Sequence, residues 1–304
     1  MHGAGTMTGI LLVDKPAGVT SHDVVAHLRR AANLRRIGHT GTLDPAATGL
    51  LILCLGQATR LSEFFTGMDK VYEGAMKLGI STDSYDMDGK IVEERPVPPL
   101  THEEIQSAFM GFTGEILQTP PMVSAVKVKG ERLYKKARKG ETVERAPRPV
   151  TVKEFLLLDY EHPPLARFRV KCTRGTYARS LCHDVGNVLG CGATLQELRR
   201  TWVGAYAVAN AAPMEAFQSP EDVRSRLVSV DNALDLPEVI VLQDRQRLVH
   251  SGGALVDRDL SGGTCPVDRG WVQMKSERGK LLAVGEVRQG PAGRFIQPRR
   301  VMVA

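Results

Sequence analysis

The stretch Gly38-His39-Thr40-Gly41-Thr42-Leu43-Asp44-Pro45 sets two glycines and a proline around one short carboxylate and one imidazole. Pro45 restricts Asp44 to extended backbone, while Gly38 and Gly41 let another backbone or a ligand approach closely. A loop of this kind can hold a reactive side chain in a fixed pose, although the segment alone also reads as an ordinary polar turn. The run Leu50 to Leu55 follows it, apolar without alternation and bounded by Gly49 and Gly56. That pattern predicts a fully buried strand, so the loop leans on the core.

Upstream, Ile10 to Val13 is a short apolar strand that ends in the turn Asp14-Lys15-Pro16-Ala17-Gly18. Thr20 and Asp23 form a capping box, and Val24, Val25, Leu28 and Ala31 share one face of the helix it starts. Downstream, Gln57 to Leu61 begins a helix and Lys70-Val71-Tyr72 opens a strand. Asp86, Asp88 and Gly89 occupy positions of a calcium loop, but Ser84 stands at the first ligand position and Arg95 at the glutamate position, which argues against calcium. Thr101 and Glu104 cap a helix whose Ile105, Ala108, Phe109 and Phe112 recur on one face.

Ala166 to Cys172 alternates strictly, turning Phe168, Val170 and Cys172 to the core. The strand delivers Arg174-Gly175-Thr176-Tyr177-Ala178-Arg179, and Leu181, Val185, Val188 and Leu189 then predict the inner face of a helix stopped by Gly190. Cys182, His183 and Asp184 do not read as a nucleophile triad, because sequence neighbours on a helix point in different directions. Ser219-Pro220 starts a last helix. After Leu236-Pro237 the composition shifts to glycine-rich, strand-like pieces, which predict a small β domain.

At 304 residues, the chain has the length of two domains of about 150 residues each. Five scattered cysteines without a C-x-x-C pair suggest neither a disulfide framework nor a zinc site, as expected in a reducing cytosol. No basic leader with an apolar core is present and the longest apolar run is too short to span a bilayer, so a cytoplasmic protein with no membrane association is expected. The net charge is +6. Between Lys127 and Arg148 nine Lys or Arg face three Glu, a surplus equal to that of the whole chain. Lys135, Lys136, Arg138 and Lys139 lie at its centre, and such concentration points to a phosphate-binding arm.

These blocks, in this order, resemble the TruB family of pseudouridine synthases. The octet is similar to the family's G-H-T-G-T-L-D-P catalytic loop, Lys70-Val71-Tyr72 to its K-x-Y block and Thr82 to Gly89 to its T-D-x-x-D-x-x-G turn. Pro120 to Lys127 resembles P-P-x-x-S-A-V-K, and Gly175 to Arg179 resembles G-T-Y-x-R. Leu198-Arg199-Arg200 completes the match, while Ile52 stands where many members have proline. The resemblance implies an α+β catalytic domain, 8–236, on a mixed, largely antiparallel sheet with a basic inserted arm at about 119–150. A PUA-like RNA-binding β domain over 237–304 is the softer part of the match.

The implied reaction converts a uridine of tRNA, at position 55 in the T-loop, to pseudouridine without cofactor or metal. By the same resemblance Asp44 is the catalytic carboxylate, acting either as nucleophile or as base on the sugar. Arg179 pairs with Asp44, keeping it ionised by lowering its pKa. Tyr72 stacks on the uracil, an interaction worth about 1 to 3 kcal/mol per base, and could serve as a base in the later proton transfer. His39 fills the space left by the flipped base, Leu198 packs in the site, Lys15 belongs to its substrate side and Arg174 contacts phosphate. A monomer with no obligatory protein partner is expected. The alternatives are a guide-RNA-dependent synthase and a catalytically silent RNA-binding or RNA-folding protein.

Overall fold

The computed structural model describes residues 7–122, 124, 127–128, 131–132, 143–161, 164–291 and 293–302. Lys135, Lys136, Arg138 and Lys139 of the basic arm lie outside the described residues.

Strand β1 (Gly9–Lys15) leads into helix α1 (Ser21–Ala31), whose capping box at Thr20 and Asp23 is formed in both directions. A short β2 (Ile37–His39) and a long β3 (Thr48–Leu55) flank the octet, and β3 passes into a 3-10 turn (Gly56–Leu61) and helix α2 (Ser62–Gly67). Next come β4 (Lys70–Leu78), a hairpin of β5 (Ile80–Thr82) and β6 (Ile91–Glu94), α3 (His102–Met110) and β7 (Gly114–Gln118). Two short strands, β8 (Lys127–Val128) and β9 (Glu131–Arg132), pair within the arm segment. The chain returns through β10 (Arg148–Glu161), β11 (Leu165–Cys172), α4 (Ala178–Val188) and β12 (Ala193–Val203). Two-residue strands β13 (Tyr206–Ala207) and β14 (Ala212–Pro213) precede the short helix α5 (Pro220–Ser225).

The main sheet has the order β14-β1-β3-β12-β4-β11-β10-β7, with β2 added to β3 and β13 to β12. The β1/β14 and β3/β12 pairs are parallel and the others antiparallel. A second sheet of four strands, β15 (Glu238–Val241), β16 (Gly270–Ser276), β17 (Leu281–Gly290) and β18 (Gly293–Val301), stands near the C-terminus, with helix α6 (Gln246–His250) between its first two strands. The α+β expectation, mixed sheet included, is met.

The apolar run of β3 lacks alternation because the strand is covered on both faces. Leu51, Leu53 and Leu55 pack with Leu11 and Val13 of β1 against Val24, Val25 and Leu28 of α1. Leu50, Ile52 and Cys54 pack on the other side with Ile10, Phe65 and Leu281, Val284 and Met302 of the C-terminal region. Phe109 of α3 stacks on Phe155 of β10 at 4.0 Å in a separate cluster with Phe168, Val170 and Val185. Two helix-face expectations are corrected. Phe112 packs against that cluster but lies beyond the end of α3. Val188 is 65 % exposed, because the buried face of α4 runs through Cys182, Val185 and Gly186 to Leu189 and leaves Val188 beside it.

Candidate active site

The octet is tied down almost residue by residue through its backbone. The Thr40 amide donates to the Ile52 carbonyl at 3.1 Å. The Ser21 hydroxyl accepts from the Leu43 amide at 2.8 Å and donates to the Leu43 carbonyl at 3.1 Å. At Pro45 the carbonyl accepts from the Gly18 amide at 2.9 Å and from Lys15 Nζ at 3.1 Å. Lys15 also donates to the Val19 and Pro16 carbonyls, at 2.7 and 2.9 Å. It is fully buried, and burial lowers its pKa to about 8. Lys15, expected to play a structural part on the substrate side, braces the loop, its three donors spent on carbonyls.

Arg179 stands in the first turn of α4, at an N-terminus that no capping side chain of its own closes. Gln118, at the end of β7, supplies the closure: its Oε1 accepts from the Tyr177 amide at 2.7 Å and its Nε2 donates to the Tyr177 carbonyl at 3.1 Å. The Ser180 hydroxyl adds a bond to the Thr119 carbonyl at 3.1 Å. Held so, the guanidinium places Nε 3.2 Å from Asp44 Oδ2 and Nη1 2.8 Å from Asp86 Oδ2, with the Ser84 carbonyl at 3.3 Å from Nη1. The Asp44–Arg179 pair of the sequence reading is present, and Asp86 is its unforeseen third member. The turn where calcium ligands were weighed therefore presents a carboxylate to a guanidinium.

Burial raises the Asp44 pKa, Arg179 opposes that effect, and Asp86 and Asp88 add to it, so the net direction is upward. Arg179 thus lowers the value as the sequence reading expected, but its effect is smaller than that of burial.

Asp44 and Arg179 open onto a cavity of about 270 Å³ whose wall also holds Tyr72, Leu198, Arg174 and Arg200. Tyr72 arrives on β4 and Leu198 on β12, the neighbouring strand. Burial raises the Tyr72 pKa, with the Arg200 charge pulling the other way. Lys70, on the same wall, donates to the Thr66 and Met68 carbonyls at 2.6 Å each, and burial lowers its pKa to about 8. His39 ends β2 just before the loop; its Nδ1 is buried without a hydrogen-bond partner, and burial lowers its pKa. Of the residues singled out from sequence, Asp44, Tyr72, Arg179, Leu198 and Arg174 converge on one cavity.

The fold that carries this cavity is the pseudouridine synthase fold. The chain matches a solved Cbf5–Nop10–Gar1 complex with a TM-score of 0.74 and 27% identity, over 97% of this chain and 84% of that one. Residues 29–178 match the model described as the TruB family pseudouridylate synthase N-terminal domain, and residues 179–235 match the tRNA pseudouridylate synthase B C-terminal domain. The tRNA pseudouridine synthase B of Opitutus terrae is 51% identical over 230 residues, 75% of this chain and 95% of that protein. That of Cupriavidus metallidurans is 41% identical over 299 residues, 97% and 94% of the two chains. The chain belongs to the TruB family of pseudouridine synthases, which are isomerases.

Proposed function

We propose that this enzyme isomerises the T-loop uridine of tRNA to pseudouridine, with Asp44 as the catalytic carboxylate. The observation that carries the reading is the convergence of Asp44, Arg179 and Tyr72 on one cavity. It is supported by relatives named tRNA pseudouridine synthase B that align along most of the chain. A uridine inside a folded loop must be flipped out before its glycosidic bond can be reached, at a cost of a few kcal/mol. Stacking of the extruded uracil on Tyr72 offsets part of that cost, and Leu198 closes the apolar side. His39 takes the space the base has left, and Arg174 meets a neighbouring phosphate.

Asp44 then attacks C1′ or removes a sugar proton, and the N1–C1′ bond breaks. The uracil rotates in place and C5 bonds to C1′ as the Asp44 oxygen leaves it or, on the second route, as the sugar regains its proton; the C5 hydrogen leaves as a proton and N1 gains one. Substrate and product are isomers, so the steps balance without an external oxidant, reductant or group donor. The arm at about 119–150 and the PUA-like unit at 237–304 hold the remainder of the tRNA, and the enzyme acts as a monomer without a guide RNA.

The test is an assay of the purified protein on an unmodified tRNA transcript with no other RNA present. Asp44→Asn is expected to abolish tritium release from C5-labelled uridine while filter retention of tRNA stays near wild type. Turnover by Asp44→Asn close to wild type would remove the catalytic assignment, and a requirement for added guide RNA would favour the guide-dependent alternative.

A further inference from the structure

Arg200 lies in the middle of the ten-stranded sheet, opposite Tyr72 on β4 and Gly49 on β3. It is 2 % exposed. Its Nε donates to the Leu50 carbonyl at 2.7 Å, and its Nη2 reaches into the octet to the Gly41 carbonyl at 3.1 Å. Two backbone features accommodate it. Gly49 has a φ of 101°, and a Cβ there would stand 2.3 Å from the Arg200 carbonyl oxygen. The β12/β4 ladder also slips between Arg200 and Trp202, and bulges of this kind re-aim side chains beside active sites.

The preceding residue gives the contrast. Arg199 makes a two-pronged pair with Asp14, at 2.7 and 3.0 Å. Among the described residues Arg200 has no carboxylate partner: its acceptors are the two carbonyls and the Tyr72 side chain. A buried guanidinium without a carboxylate costs stability that an apolar side chain would not. What it touches explains that cost: the Gly41 carbonyl belongs to the Asp44 loop, and Tyr72 is its cross-strand neighbour on the cavity wall. Its charge also favours the ionised Tyr72 phenol, against the larger opposing effect of burial.

We propose that Arg200 is a positioning residue, whose planar fork fixes the Asp44 loop and the Tyr72 side chain at a constant separation across the uridine cavity. The proposal rests on Asp44 and Tyr72 being the reacting and stacking groups of the site. Arg200 touches neither the sugar nor the scissile bond; it acts through the loop backbone and through Tyr72.

The experiment compares Arg200→Met, Arg200→Lys, Tyr72→Phe, Asp44→Asn and the Arg200→Met/Tyr72→Phe double variant in single-turnover assays on tRNA transcript at saturating enzyme, with melting curves alongside. Misplacing reacting groups by about 1 Å can cost about a hundredfold in rate. Arg200→Met is therefore expected to slow the chemical step by about that factor while half-saturation by tRNA stays near wild type. The double variant should lose less than the product of the two single losses, since both changes act partly through Tyr72. Arg200→Lys keeps the charge without the fork, and it is expected to fold and still be slow, so it carries the test if the Met variant does not fold. A wild-type single-turnover rate in folded Arg200→Met, or in folded Arg200→Lys should Met not fold, would overturn the proposal; so would fully multiplicative losses in the double variant. Asp44→Asn separates the two levels: an active Asp44→Asn sinks the underlying reading, whereas an inert one beside a fully active Arg200→Met sinks only the role of Arg200.

Discussion

Arg179 divides its guanidinium between Asp44 and Asp86, and the Asp86 charge raises the cost of ionising Asp44. Removing the charge of Asp86 should therefore move the Asp44 pKa down, for two reasons: a like charge is lost, and Arg179 is left with Asp44 as its principal carboxylate. If chemistry requires ionised Asp44, the acid limb of the single-turnover pH profile is expected to shift to lower pH in Asp86→Asn. The plateau rate should fall, since one of the anchors that orient the guanidinium has gone. Single-turnover rates on tRNA between pH 4 and 7 measure both effects, and an acid limb that moves upward would contradict the shared-cation geometry. The same upward shift has a consequence for stability. A carboxyl whose folded-state pKa is raised contributes stability at low pH that is lost as pH rises through that pKa. Asp44→Asn should accordingly melt no lower than wild type at pH 7, although Asp44 is the residue on which turnover is expected to depend.

Helix α4 aligns Arg179 with the turn that carries Asp86, and it does so through close contacts on both sides. Tyr85, with a φ of 66°, stacks its ring on His183 at 3.9 Å, one helical turn beyond Arg179. At the far end Gly186 lies so close to the start of β12 that a Cβ would stand 2.0 Å from the Ala193 amide nitrogen. Backbone cannot yield as a flexible side chain can, so Gly186→Ala must push the helix off the strand. Overpacking of this kind costs typically about 1 to 3 kcal/mol. The variant is expected to melt below wild type and to lose turnover as Arg179 moves with the helix; an unchanged melting curve would refute the contact. The helix itself, the buried strand and the Thr20, Thr101 and Ser219 caps were legible from periodicity and local chemistry. So was the octet, because two glycines and a proline around an aspartate constrain backbone locally. Asp86 was not, since its meeting with Arg179 spans 93 residues and depends on strand order. Arg200 was not either: in sequence an Arg-Arg pair does not reveal that one member pairs with Asp14 and the other is sealed between β3 and β4.

At the scale of the whole molecule, the C-terminal region shares its core with the catalytic sheet, through Leu281, Val284 and Met302 packed with Ile10, Leu50 and Phe65. Arg60 and Arg300 reinforce the seam, the first donating to the Val301 carbonyl at 2.6 Å and the second pairing with Glu63 at 2.7 Å. The basic segment is attached differently. It leaves and rejoins the sheet at the Gln118 and Arg148 positions, which pair across β7 and β10, and Gln118 also clamps the N-terminus of α4. The two ends of the segment and the N-terminus of α4 are thus anchored at one place. If Lys135, Lys136, Arg138 and Lys139 contact tRNA phosphates, neutralising all four should weaken binding and flatten the dependence of log affinity on log salt. Each lost contact should lower the slope by about 0.7 to 0.9, according to whether the RNA there behaves as a single strand or a duplex. Chemistry on bound RNA should persist, because Asp44, Tyr72 and Arg179 are untouched and Gln118 still holds the helix. Filter binding across a salt series, with single-turnover rates at saturating enzyme, measures both quantities. An unaltered slope in the quadruple variant would reduce the run to a solvated face, and a collapsed single-turnover rate would show that the arm acts on the catalytic pair as well as on the RNA.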